Sequence, residues 1–206
     1  FGFGAAIFNP IISWIISTLG LSLAFLYMGT AMLLILVVLS LFSHYPPLET
    51  QPTWNPNTPT KMEETKQYSP KEMVKTHQWW LLYSAFILTA NTGLMVVAQL
   101  THMGSFFSIP TETVVLTSAI FPFTNGIGRI VGGWISDKIG RQRTMIIYFT
   151  LQGMLTLMLL LLGSIGAVFV AVVATIGFLW GPIFTFFPAV IADYYGRSNF
   201  TVTYGL

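Results

Sequence analysis

Gly133-Trp134-Ile135-Ser136-Asp137-Lys138-Ile139-Gly140-Arg141-Gln142-Arg143 is a polar, basic stretch set between two long apolar runs. Its glycines suit tight helix packing and a tight turn, and Asp137 suits acceptance of hydrogen bonds at the start of a neighbouring helix. The cluster of Lys138, Arg141 and Arg143 suits contact with anionic lipid. A short turn of this kind between apolar helices predicts a membrane protein, and the rest of the chain bears on that expectation.

Of the 206 residues, 54% are hydrophobic and 8% charged, and the mean hydropathy is +0.72. Soluble domains carry about 25% charged residues, so a water-soluble fold is not expected. Cysteine is absent, which excludes a disulfide framework and a thiolate metal site. No metal or cofactor is expected. The net charge of +2 is too small to indicate a nucleic-acid partner.

A bilayer core about 30 Å thick needs about 20 apolar residues in a helix. Six stretches approach this, at about Phe1 to Thr18, Leu21 to Ser43, Gln78 to Leu100, Thr113 to Ile135, Met145 to Ser164 and Ala167 to Ala192. Residues 44–76, with Pro46, Pro47, Pro52, Pro56 and Pro59 and mixed Lys and Glu, read as a solvated linker. Its last part, Ser69-Pro70-Lys71-Glu72, has the pattern of a capping box and predicts a short helix. Trp79, Trp80 and Tyr83 are expected in an interfacial aromatic belt. Residues 1–18 lack a basic leader and a cleavage site, and Tyr195 to Leu206 reads as a polar tail. The chain is thus expected to begin inside a longer gene product.

Lys61, Lys66, Lys71, Lys75, Lys138, Arg141, Arg143 and Arg197 all fall on one side of the membrane if these six stretches alternate across it. Basic residues are retained in short cytoplasmic loops, so the linker is expected to be cytoplasmic.

Arg129 is the one Lys, Arg, Asp or Glu well inside an expected span. It precedes Asp137 by eight residues, about 12 Å along a helix. An arginine at such depth costs about 3 to above 10 kcal/mol, a cost that a wet, functional cavity explains. Snorkelling to the interface, or an ion pair with a carboxylate elsewhere, are the alternatives. A guanidinium grips a carboxylate through two parallel hydrogen bonds, so a small carboxylate is the natural ligand. Asn125, one helical turn earlier, offers a further donor on the same face. Asn91, Thr92 and Gln99 form a polar stripe that fits either a cavity wall or interhelical hydrogen bonds.

The opening stretch resembles the loop signature of the major facilitator superfamily, Gly-x-x-x-Asp-basic-x-Gly-basic-x-basic, at Gly133, Asp137, Lys138, Gly140, Arg141 and Arg143. The resemblance implies an all-α membrane fold, a gating role for this motif, and a fragment of about six transmembrane helices. Residues 1–43 would end the N-terminal six-helix bundle, 44–76 would link the bundles, and 77–206 would begin the C-terminal bundle.

Asn125-Gly126-Ile127-Gly128-Arg129, taken with the loop and with Trp180-Gly181, Phe187-Pro188 and Asp193, is similar to the oxalate/formate antiporter family and its monocarboxylate relatives. That resemblance implies that Arg129 binds the substrate carboxylate and that Trp180 helps line the cavity. Some members carry Tyr where this chain has Phe184, and the lysine they carry in their eleventh helix lies outside this chain. A mono- or dicarboxylate carrier in a plasma membrane is expected, with a proton or anion co- or counter-transported. A carrier of another solute, or a non-transporting receptor of the same fold, is the alternative. An enzyme is not expected, because no catalytic acid or metal-ligand set lies within the spans.

Overall fold

A computed structural model describes residues 2–42 and 67–205, apart from the side chains of residues 2–6, 9 and 10. Most of the expected linker, residues 44–66, lies outside the described residues. The elements are α1 (Gly2–Leu19), α2 (Leu21–Phe42), α3 (Pro70–Val74), α4 (His77–Phe106), α5 (Thr111–Ile139), α6 (Arg141–Leu162), α7 (Gly166–Trp180), α8 (Ile183–Tyr195) and α9 (Phe200–Gly205). All regular structure among the described residues is helical, as expected where backbone groups must be satisfied without water.

Five stretches among the described residues are long and apolar enough to cross a membrane: α2, α4, α5, α6 and Gly166–Tyr195. The 18-residue α1 covers the first of the six expected stretches. The helices outrun the expected spans, since α4 continues to Phe106 and α5 begins at Thr111. Their connection shrinks to Phe107–Pro110, turned by Ser108 at φ 56°.

The expected sixth span is the stretch Gly166–Tyr195, long and apolar enough to cross a membrane but interrupted near its middle. It breaks into α7 and α8 around Gly181-Pro182. Pro182 has no N–H, so the Phe178 carbonyl four residues earlier loses its helical donor. Nor is the terminal stretch a plain tail, because residues 200–205 form α9.

Two compact units divide the chain, Phe8–Glu64 and Thr65–Leu206 with Phe1–Ile7. In the first, α2 exposes apolar side chains along nearly its whole length, with Ala24 its one buried residue. Such a surface belongs against lipid or other helices.

In the second unit the broken pair α7–α8 is central. Phe169, Val173, Ile176, Ile183 and Phe186 are fully buried, and α4, α5 and α6 all pack on this pair. The α5–α7 contact is the closest, because glycines remove the side chains between the backbones. A Cβ at Gly128 would collide with the Phe178 carbonyl, and one at Gly181 with the Asn125 carbonyl. Gly128 thus lies against the carbonyl that Pro182 leaves unpaired, where a weak Cα–H···O contact fits.

The short helix expected near Ser69 is α3. The Ser69 and Glu72 side chains cap each other's backbone N–H groups as a capping box. This segment docks on the end of α8: Tyr68 N–H donates to the Tyr195 carbonyl at 3.0 Å, and the Thr76 and Tyr195 hydroxyls lie 2.8 Å apart. Trp79 is buried in the same cluster with Met73, Ile191 and Tyr195. It is therefore an anchor for the docked segment rather than a belt residue, while Trp80 is exposed and donates from Nε1 to the Val74 carbonyl at 3.0 Å.

Candidate functional site

Arg129 sits on α5, partly buried, with its Cζ 4.9 Å from the centroid of the Phe184 ring. Phe184 is the second residue of α8, two residues after Pro182. An arginine over an aromatic face is a cation–π pair of about 0.5–2 kcal/mol, the upper end applying where water is excluded. The pair joins α5 to the lower half of the broken helix.

Behind Phe184 lies Trp180, with ring centroids 5.8 Å apart and an edge-to-face angle of 77°. Trp180 in turn packs on Phe121, 5.9 Å away. Its indole fills the space of a missing side chain on α4, for a Cβ at Gly93 would run into the ring. Trp180 is 6% exposed, and its indole N–H has no hydrogen-bond partner among the described residues. A buried donor left unpaired costs about 1–3 kcal/mol. Gly93 did not stand out as a site residue in the sequence, since one glycine in an apolar run carries no distinctive pattern, whereas Phe184 was marked only as the place where some members of the resembling family carry Tyr.

Asn125 is buried at the α5–α7 contact, and its Nδ2 donates to the Gly177 carbonyl at 3.4 Å. It serves the helix contact one turn from Arg129. Asn91 is exposed on α4. It is two residues from Gly93, about 200° around the helix axis, and so lies away from the face that meets Trp180. The structure therefore groups Arg129, Phe184 and Trp180, with Asn125 beside them and Asn91 apart.

At the far end of α5, Gly140 links two helices at φ 95°, a conformation costly for any residue with a Cβ. The turn brings Arg141, first residue of α6, back towards α5. Its Nη1 donates to Asp137 Oδ1 at 2.8 Å and to Ser136 Oγ at 3.3 Å. Its Nε donates to Asp193 Oδ2 on α8 at 2.9 Å. One guanidinium thus ties three helices.

Exposed ion pairs contribute about 0.2–1 kcal/mol each, and both carboxylates here are about half exposed or more, at 66% and 47%. The cluster is therefore a weak, reversible tie. Lys138 Nζ lies 4.0 Å from the Trp134 ring centroid, and Arg143 is exposed. Gly133 faces α8, where a Cβ would make ordinary contact with Thr185 Cγ2 at 3.4 Å. Asp193 is the member of this cluster that the loop motif does not contain; it lies 52 residues from Arg141.

The family model for the Major Facilitator Superfamily matches residues 1–206. The chain belongs to the major facilitator superfamily. With five stretches among the described residues long and apolar enough to cross a bilayer, it is an integral membrane protein. It is 27% identical over 207 residues to the oxalate:formate antiporter of Oxalobacter formigenes, covering 100% of this chain and 48% of that protein. It is also 27% identical over 210 residues to the uncharacterized MFS-type transporter YhjX of Escherichia coli (strain K12), covering 100% of this chain and 50% of that protein. The chain spans about half the length of the curated relatives it matches.

Proposed function

We propose that this chain forms the middle of a secondary carrier that moves a small organic anion by alternating access. The substrate is a mono- or dicarboxylate such as formate, oxalate, lactate or pyruvate. Residues 1–43 end one bundle, 44–76 link the bundles in the cytoplasm, and 77–206 begin the second.

The observation that carries the reading is the Arg129–Phe184 pair, a permanent cation held against an aromatic face within a membrane-spanning helix. The donors of a guanidinium lie in its plane, in a geometry that can grip a carboxylate through two parallel hydrogen bonds. The Trp180 indole N–H supplies a neutral donor nearby. Phe184 carries no hydroxyl for a second carboxylate, which favours a monocarboxylate at least as much as oxalate. Counter-transport of an anion is supported by the relative whose name is oxalate:formate antiporter; coupling to a proton is the other mode.

The Asp137–Arg141–Asp193 tie acts in gating under this proposal, because it joins α5, which carries Arg129, to α8, which carries Phe184. The test is counterflow. Full-length carrier in vesicles preloaded with formate, oxalate, lactate or pyruvate should accumulate the labelled anion saturably; no counterflow with any of the four refutes the proposal.

A further inference from the structure

A groove of about 690 Å³ runs along α8, with Phe184 at one end and Arg197 at the other. Between them its floor is Thr185, Pro188, Ala189 and Ala192, small side chains at the spacing of one helical face. Phe184 is the ring over which Arg129 lies, so the groove ends at the candidate site. Arg197 lies at the end where the linker docks, since the N–H of the next residue, Ser198, donates to Gln67 Oε1 at 3.0 Å. The volume falls within the range of small-molecule sites, about 300–1,000 Å³.

We infer that Arg197 is a second anion contact, the side chain that first meets the carboxylate at the linker-side mouth of this groove before it reaches Arg129. The inference rests on the carboxylate reading above. Two facts argue for it. From Phe184 to Ala192 is eight residues, about 12 Å of helix, so a carboxylate at the mouth is beyond hydrogen-bond reach of Arg129.

Arg141, the arginine of the loop motif at this end, is already held by Asp137 and Asp193. Arg197 is exposed and has no ion pair among the described residues.

The test uses the full-length carrier in vesicles of defined orientation, with labelled formate and oxalate as probes. Arg197→Gln should raise KM about three- to tenfold for substrate presented on the linker side, as expected when a steering charge is lost. The maximal rate should stay within about twofold, and KM on the opposite side should not change. Raised ionic strength should weaken wild-type affinity on the linker side more than that of the variant. Arg197→Lys should restore wild-type behaviour, because steering needs charge and not a planar fork.

An unchanged linker-side KM, an equal change on both sides, or failure of lysine to restore would overturn the inference while the carboxylate reading stood. A wild-type carrier that moves neither anion would overturn both.

Discussion

Arg129 on α5 and Phe184 on α8 meet at 4.9 Å, although 55 residues separate them in the chain. Beside this contact Gly128 and Gly181 bring the α5 and α7 backbones together. If the ring holds the guanidinium for a carboxylate, Phe184→Leu should raise KM for formate about fivefold, the equivalent of about 1 kcal/mol of cation–π energy. Phe184→Tyr retains the aromatic face and should stay near wild type for formate while improving oxalate transport. Initial uptake rates over a range of both anions check this.

The cluster around Arg141 makes a different kind of prediction. Asp137 and Asp193 each accept from one guanidinium, so either carboxylate can hold Arg141 when the other is gone. Asp137→Asn and Asp193→Asn should each slow the maximal transport rate about two- to fivefold with little change in KM. The double variant should lose more than the product of the single effects, because residues sharing one partner are not additive. Independent effects of the two substitutions would show that the tie does not work as a unit.

Helix approach in the second unit should be sensitive at defined positions. Gly128→Ala would press a methyl group into the Phe178 carbonyl, and overpacking of this kind costs about 1–3 kcal/mol. Gly153→Ala, where nothing lies within 4 Å among the described residues, should be neutral or stabilising by up to about 1 kcal/mol from helix propensity. Thermal unfolding of the two variants in the same detergent checks the contrast.

Much of this architecture was legible in the sequence, and the exceptions have physical causes. The bilayer imposes long uncharged runs, so α2, α4, α5 and α6 could be read from composition. Ser69 and Glu72 could be paired because a capping box is local in sequence. The break at Gly181-Pro182 was hidden inside an apolar run, since hydropathy registers burial and not backbone continuity. Trp79 was misplaced for a related reason: its type and position suit a headgroup belt, but its burial depends on Tyr195, 116 residues away.

Within the candidate site, Arg129 was conspicuous as an isolated charge, and Trp180 was marked by family resemblance. Phe184 was marked by the same resemblance for its missing hydroxyl, but its ring contact with Arg129 is a tertiary feature. Gly93 acts by lacking a side chain, a property that leaves no trace in a single apolar sequence. The spacing of Asn125 from Arg129 places the two on one helical face, but spacing does not reveal that its amide meets the Gly177 carbonyl.

The role of Arg129 is tested most directly by initial-rate uptake of labelled formate and oxalate into vesicles carrying equal amounts of inserted wild type, Arg129→Gln and Arg129→Lys carrier. The account predicts no saturable uptake by the glutamine variant and at least a tenfold loss of kcat/KM for lysine, which keeps the charge but not the two-point geometry. Wild-type rates in the glutamine variant would contradict it.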